Sequence, residues 1–191
     1  MNPFGARWGS SRPDSDWFSV GLVSSFPDTG DDKSLSQFRS SNGDQKPGCK
    51  AFYAPRGDST RTEVAVGDDA LEASEAGGEL KDQVLVFRYK GKFHAVDHRC
   101  PHASFPLSNG VPFDIEDFGI VLSAGLTCPK HGWAFDMYTG MSDRARYKLG
   151  VWEVEVRDVK RTEVPASQGE DGTSVEDGDK EVWRAWSPFT W

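Results

Sequence analysis

Val84-Leu85-Val86-Phe87-Arg88-Tyr89, Lys90-Gly91 and Lys92-Phe93-His94-Ala95-Val96 follow one another without interruption, and they set the fold class. Two apolar runs rich in β-branched and aromatic residues flank a two-residue connection ending in glycine. That is the length and chemistry of a tight hairpin turn, where glycine supplies positive φ. The hairpin hands the chain directly to Cys100. The pattern recurs outward in both directions. Trp17-Phe18-Ser19-Val20-Gly21-Leu22-Val23 and residues 49–53 are candidate strands upstream, the second closed by Pro55. Downstream, Val151-Trp152-Glu153-Val154-Glu155-Val156-Arg157 alternates apolar and charged residues as a strand with one face in a core does, and residues 181–186 fit a last short strand. No amphipathic helix longer than about three turns and no internal repeat is visible. The expected class is all-β.

Between these strands the chain is polar. Residues 1–16 read as a flexible N-terminal arm, 17–191 as a single domain, and 165–180 as a long acidic, Gly-rich loop whose length costs little closure entropy. The longest apolar run, residues 119–126, falls far short of the roughly 20 residues of a membrane-spanning helix. No membrane span is expected. The first residues carry Arg7 and Arg12 but no apolar h-region, and Asp14 and Asp16 spoil a transit-peptide pattern, so secretion is not expected and organelle import is only weakly supported. A formal net charge of -8 argues against nucleic acid and for a protein partner. Three cysteines cannot all pair within one chain, and their sparseness points to a reducing, cytoplasmic compartment.

The chemistry concentrates in two short segments. His98-Arg99-Cys100-Pro101-His102 and Cys128-Pro129-Lys130-His131-Gly132-Trp133 each contribute one thiolate and one imidazole. Four soft or borderline donors, Cys100, His102, Cys128 and His131, can thus meet around one metal centre. Tetrahedral zinc uses the same Cys2His2 donor set, so the donors alone leave the metal open. Zinc fingers, however, group two cysteines at one end and two histidines at the other, whereas here each loop offers one of each. The mixed order suits a two-iron cluster with both thiolates on one iron and both imidazoles on the other.

Cys100-Pro101-His102 with Pro106-Leu107, and Cys128-Pro129-Lys130-His131-Gly132-Trp133-Ala134-Phe135-Asp136 with Thr139-Gly140, resemble the two cluster loops of Rieske proteins. The resemblance implies a β-sandwich base carrying a small, rubredoxin-like cluster-binding subdomain at about residues 98–142. It also implies a [2Fe-2S] cluster held by Cys100, His102, Cys128 and His131, with the two histidines at the exposed tip as the route for electrons. Respiratory and photosynthetic members resemble the chain least: their two extra loop cysteines are matched by Phe105 and Lys130, and the hydroxyls that bond their cluster sulfurs by Trp133 and Phe135. Fewer bonds to the sulfurs imply a lower reduction potential. Rieske ferredoxins and the Rieske domains of oxygenases are the better match. The chain leaves no room for an oxygenase's catalytic domain, so it is expected to be an electron carrier that serves an oxidoreductase system without substrate chemistry of its own.

Three departures from the family pattern stand out. Ser104 occupies a position where glycine is usual, which implies a strained loop. The spacer between the loops is long, and residues 111–124 are expected to form an additional hairpin or flap. No proline-bearing third loop follows Gly140. Arg144, Arg146 and Lys148 lie there instead and, with Lys130, make a basic patch on an acidic protein.

Of the remaining candidates, His94 reads as a strand residue near the core edge, His98 as a loop residue shaping the first cluster turn, and Cys49 as an inert buried thiol. Trp133 reads as an apolar lid over the cluster. The expected function is passage of single electrons between a flavin reductase and an oxygenase-type acceptor. The alternatives are a non-redox protein whose metal or cluster stabilises the fold or senses oxidants, and an electron-entry subunit of a reductase complex. The sequence names neither redox partner nor oligomeric state.

Overall fold

The computed structural model describes residues 17–30, 48–54, 62–64, 66, 79–158 and 180–185. The arm at 1–16 and all but the last residue of the loop at 165–180 lie outside the described residues. The described chain is built from strands: β1 (Trp17–Leu22), β2 (Cys49–Tyr53), β3 (Thr62–Val64), β4 (Gln83–Tyr89), β5 (Lys92–Asp97), β6 (Val111–Asp117), β7 (Ile120–Cys128), β8 (Trp133–Asp136), β9 (Val151–Asp158) and β10 (Lys180–Ala185). Helical structure among the described residues is limited to single 3-10 turns such as Leu107–Asn109. The class is all-β, as expected. None of these helical turns is long and apolar enough to cross a membrane.

Seven strands form one antiparallel sheet in the order β1-β10-β9-β5-β4-β2-β3. The sheet curls on itself: Phe18 of β1 meets Phe52 of β2 edge to face at 6.3 Å, although β10, β9, β5 and β4 lie between their strands in the sheet. This closes a sandwich around Val20, Phe26, Phe52, Val84, Val86, Ala95 and Val182. β4 is buried on both faces because strand side chains alternate. Val84 and Val86 enter that interior, while Leu85, Phe87 and Tyr89 point to a second core on the outer face. The Lys90-Gly91 turn has φ of 47° and 76°, the doubly left-handed connection that its sequence predicts.

The second core joins the base to the three-stranded sheet β6-β7-β8. Leu107, Leu126, Phe135, Met137 and Leu149 pack there with Leu85 and Phe87, each at most 2% exposed. Each such Leu or Phe contributes about 1.5–3 kcal/mol by leaving water. The same core contains Cys49, Cys100 and Cys128. The spacer at 111–124 is indeed a hairpin, turning at Phe118-Gly119 with φ of 48° and 76°. It is more than an appendage, because its second strand runs unbroken to Cys128 and so delivers the second pair of candidate ligands.

Candidate metal centre

Two loops of matching geometry hold the four candidate ligands. In the first, the Ser104 amide donates to the Cys100 carbonyl at 2.8 Å; in the second, the Gly132 amide donates to the Cys128 carbonyl at 2.9 Å. The residue four places after each cysteine is left-handed, with φ of 52° at Ser104 and 67° at Gly132. Glycine accepts this freely, whereas serine resists it because its Cβ crowds the following carbonyl. The expected strain at Ser104 is therefore present. It is offset locally: the Arg99 guanidinium donates to Ser104 Oγ from Nε at 2.9 Å and from Nη2 at 2.6 Å.

Each loop is pinned to the base. His98 donates its backbone amide to the Gln83 carbonyl at 3.0 Å and accepts the Leu107 amide at 2.8 Å, and its Nδ1 donates to Gln83 Oε1 at 2.7 Å. The ring is 1% exposed, and burial lowers its pKa to about 4, so it is a neutral structural post. It shapes the first loop as expected, but Gln83, its partner at the start of β4, gave no sequence signal. Behind the second loop, Gly140 has φ of 72°, and a Cβ there would lie 2.1 Å from the Leu149 carbonyl oxygen. Only glycine fits, which explains the Thr139-Gly140 pair. Thr139 in turn donates its amide to Asp136 Oδ1 at 2.7 Å. Partial burial pushes the Asp136 carboxyl up, but the Ser123 hydroxyl and the Thr139 and Tyr138 donors outweigh it and hold its pKa below the usual range.

The cysteines and histidines arrive as two pairs. Cys100 and Cys128 are free, buried and in hydrogen-bond contact with each other. That contact favours ionisation of Cys100 and disfavours that of Cys128, which acts as donor and is also held up by burial. Each sulfur further receives two backbone amides, those of His102 and Ala103 for Cys100 and those of Lys130 and His131 for Cys128. The His102 and His131 rings lie 5.1 Å apart, centre to centre. His131 is exposed and His102 half-buried. No three His, Cys, Asp or Glu side chains among the described residues converge on a single-ion position.

This arrangement fits a two-iron cluster. His102 Nδ1 is buried without a hydrogen-bond partner among the described residues, a donor atom left for a metal. The amides on each thiolate are the donors that stabilise sulfur charge. The Trp133 ring stacks on that of His102 at 4.3 Å. Tyr147, absent from the sequence-derived candidates, packs edge-on against both rings, 5.4 Å from His102 and 5.0 Å from Trp133. Its position between Arg146 and Lys148 is the only signal the sequence offered. Phe135, at the second hydroxyl position of the high-potential members, is fully buried.

The remaining candidates lie away from these four. His94 is 5% exposed, stacked on Phe87 at 5.6 Å and edge-on to Tyr138 at 5.2 Å, and burial lowers its pKa to about 4. Cys49 is 1% exposed in the second core.

Comparison with known families defines the class. The model of the Rieske [2Fe-2S] domain matches residues 58–151, a span that holds the β4–β5 hairpin, both ligand loops and the three-stranded sheet. These residues therefore form a Rieske [2Fe-2S] domain, the cofactor of which is a [2Fe-2S] cluster. Among individual proteins, it is 36% identical over 80 residues to a human Rieske domain-containing protein, covering 40% of this chain and 48% of that one. It is 36% identical over 78 residues to ferredoxin CarAc of Metapseudomonas resinovorans, covering 39% of this chain and 64% of the ferredoxin. The chain thus spans only part of the curated relatives it matches. A chain in the solved complex of reduced oxygenase and oxidized ferredoxin of carbazole 1,9a-dioxygenase is 20% identical, with 90% of this chain and 94% of that one covered at a TM-score of 0.42.

Proposed function

We propose that the protein is a single-electron carrier in which Cys100 and Cys128 hold one iron of the cluster and His102 and His131 the other. It would pass electrons from a flavin-dependent reductase to an oxygenase-type acceptor in a reducing, cytoplasmic compartment. The observation that carries this reading is the pairing itself: two buried thiols in mutual contact, and two imidazoles 5.1 Å apart, one of them with a buried, unpartnered Nδ1. When bound, the cluster supplies a one-electron couple. The protein's own part is to fix the donors with backbone amides, exclude water from the thiolates and present the histidine side to a partner. The similarity to ferredoxin CarAc supports the carrier role.

Dithionite reduction followed by EPR tests the assignment. The expected result is a rhombic signal with average g below the free-electron value, abolished or altered by His102→Cys or His131→Cys. A colourless, EPR-silent protein containing zinc would defeat it.

A further inference from the structure

The two ligand loops and the segment that follows Gly140 carry a net charge opposite to that of the whole chain. Residues 98–110 and 127–150 contain Arg99, Lys130, Arg144, Arg146 and Lys148 against only Asp136 and Asp143, while the chain as a whole carries -8. Lys130, Arg144, Arg146 and Lys148 are all exposed. Two of them lie over aromatic rings, and Arg146 and Lys148 flank Tyr147 in the chain. The Arg144 guanidinium sits 5.5 Å from the Trp133 ring centre and donates to the Gly132 carbonyl at 2.8 Å, and Lys130 Nζ lies 5.6 Å from that of Phe105. Tyr147 is 40% exposed between Arg146 and Lys148, and Met141 is 52% exposed nearby in sequence. Aromatic, Met and Arg side chains are the groups enriched at protein interfaces, and a rim of one sign selects a partner of the other sign.

We propose that this face, Tyr147 and the exposed edge of the Trp133–His102 stack rimmed by Lys130, Arg144, Arg146 and Lys148, is where the redox partner docks, and that the partner presents an acidic rim around an apolar hollow. The inference rests on the carrier function proposed above and adds the chemistry of the partner's surface. Local charge decides the encounter because at about 0.1 M salt fields extend only about 10 Å. Any group farther than that from the rim is screened, while the rim itself is not.

The test uses small oxidants in place of the partner. Protein reduced by dithionite is mixed in a stopped-flow cell with hexacyanoferrate(III) or with the cationic tris(phenanthroline)cobalt(III). In each case one electron leaves the protein and reduces the metal complex, with no bond made or broken. The anionic oxidant is expected to react faster as salt is lowered from about 0.5 to 0.1 M, despite the protein's negative net charge. Arg146→Glu with Lys148→Glu should slow that reaction by about tenfold at 0.1 M salt and speed the cationic one. Lys92→Glu, at the far end of β5, changes the net charge as much as Arg146→Glu does alone, and it should leave both rates within about twofold. An anionic rate that rises with salt, or equal effects of Lys92→Glu and Arg146→Glu, would overturn the docking proposal. Retention of the EPR signal in each variant separates that failure from failure of the cluster assignment.

Discussion

Ser104 offers a sharp test of the loop geometry, because one residue combines a cost and a compensation that substitutions can separate. Its φ of 52° costs about 1–2 kcal/mol in an L-residue, while its Oγ accepts two bonds from the charged Arg99 guanidinium. Hydrogen bonds to charged groups contribute about 1.5–3 kcal/mol, and the half-buried site sets these near the low end. Ser104→Ala keeps the strain and loses the bonds, so it should destabilise by about 1–2 kcal/mol. Ser104→Gly loses the same bonds but relieves the strain, less about 0.5–1 kcal/mol for the freer unfolded chain. The glycine variant should therefore exceed the alanine variant by about 1 kcal/mol, or roughly 2–4 °C in Tm. Thermal unfolding of the cluster-loaded proteins, followed by far-UV circular dichroism under one set of conditions, measures the difference. An alanine variant equal to or more stable than the glycine variant would refute the strain argument. Arg99→Met in the Ser104→Ala background should cost almost nothing further if the two side chains support only each other.

Four other outcomes follow from the same structure. His94 has its folded pKa lowered to about 4 from 6.5, first by burial and then by Lys92, against an opposing pull from Asp136. Between those values the unfolded chain binds the extra proton, so this contribution is complete above about pH 6.5 and is lost as pH falls toward 4, by up to about 3 kcal/mol; His94→Phe should flatten that part of a urea-midpoint profile. Phe135→Tyr places a hydroxyl where the high-potential members have one, and should raise the midpoint potential in a redox titration by about 60 mV if the bond favours the reduced form by about 1.4 kcal/mol. Gly140→Ala meets both the left-handed φ and the Leu149 carbonyl, and should cost more than about 3 kcal/mol or prevent accumulation of folded, cluster-bearing protein. Gln83→Leu removes the acceptor of the buried His98 Nδ1–H and should lower stability by about 1–3 kcal/mol without changing the EPR g values.

The sequence by itself determined the all-β class, the β4–β5 hairpin and its turn, and the four candidate ligands, and for the spacer it left either a hairpin or a flap. These are local matters: side-chain alternation, a Lys90-Gly91 turn, and Cys-Pro-His or Cys-Pro-Lys-His spacing are each written within a few adjacent residues. The oddity of Ser104 was legible only through the family resemblance, which has glycine at that position. Only the tertiary structure decided what surrounds these features. The Arg99 guanidinium that compensates Ser104, the Gln83 side chain that fixes His98 and the Leu149 carbonyl that forbids a side chain at Gly140 are long-range or geometric partners with no local pattern. Tyr147 is the same case: 45 residues separate it from His102 in the numbering, and only the folding of the segment after Gly140 back over the second loop brings its ring to 5.4 Å. Composition yields a single net charge of -8, whereas the packing of that segment onto the second loop sets Arg144 over Trp133, beside His102.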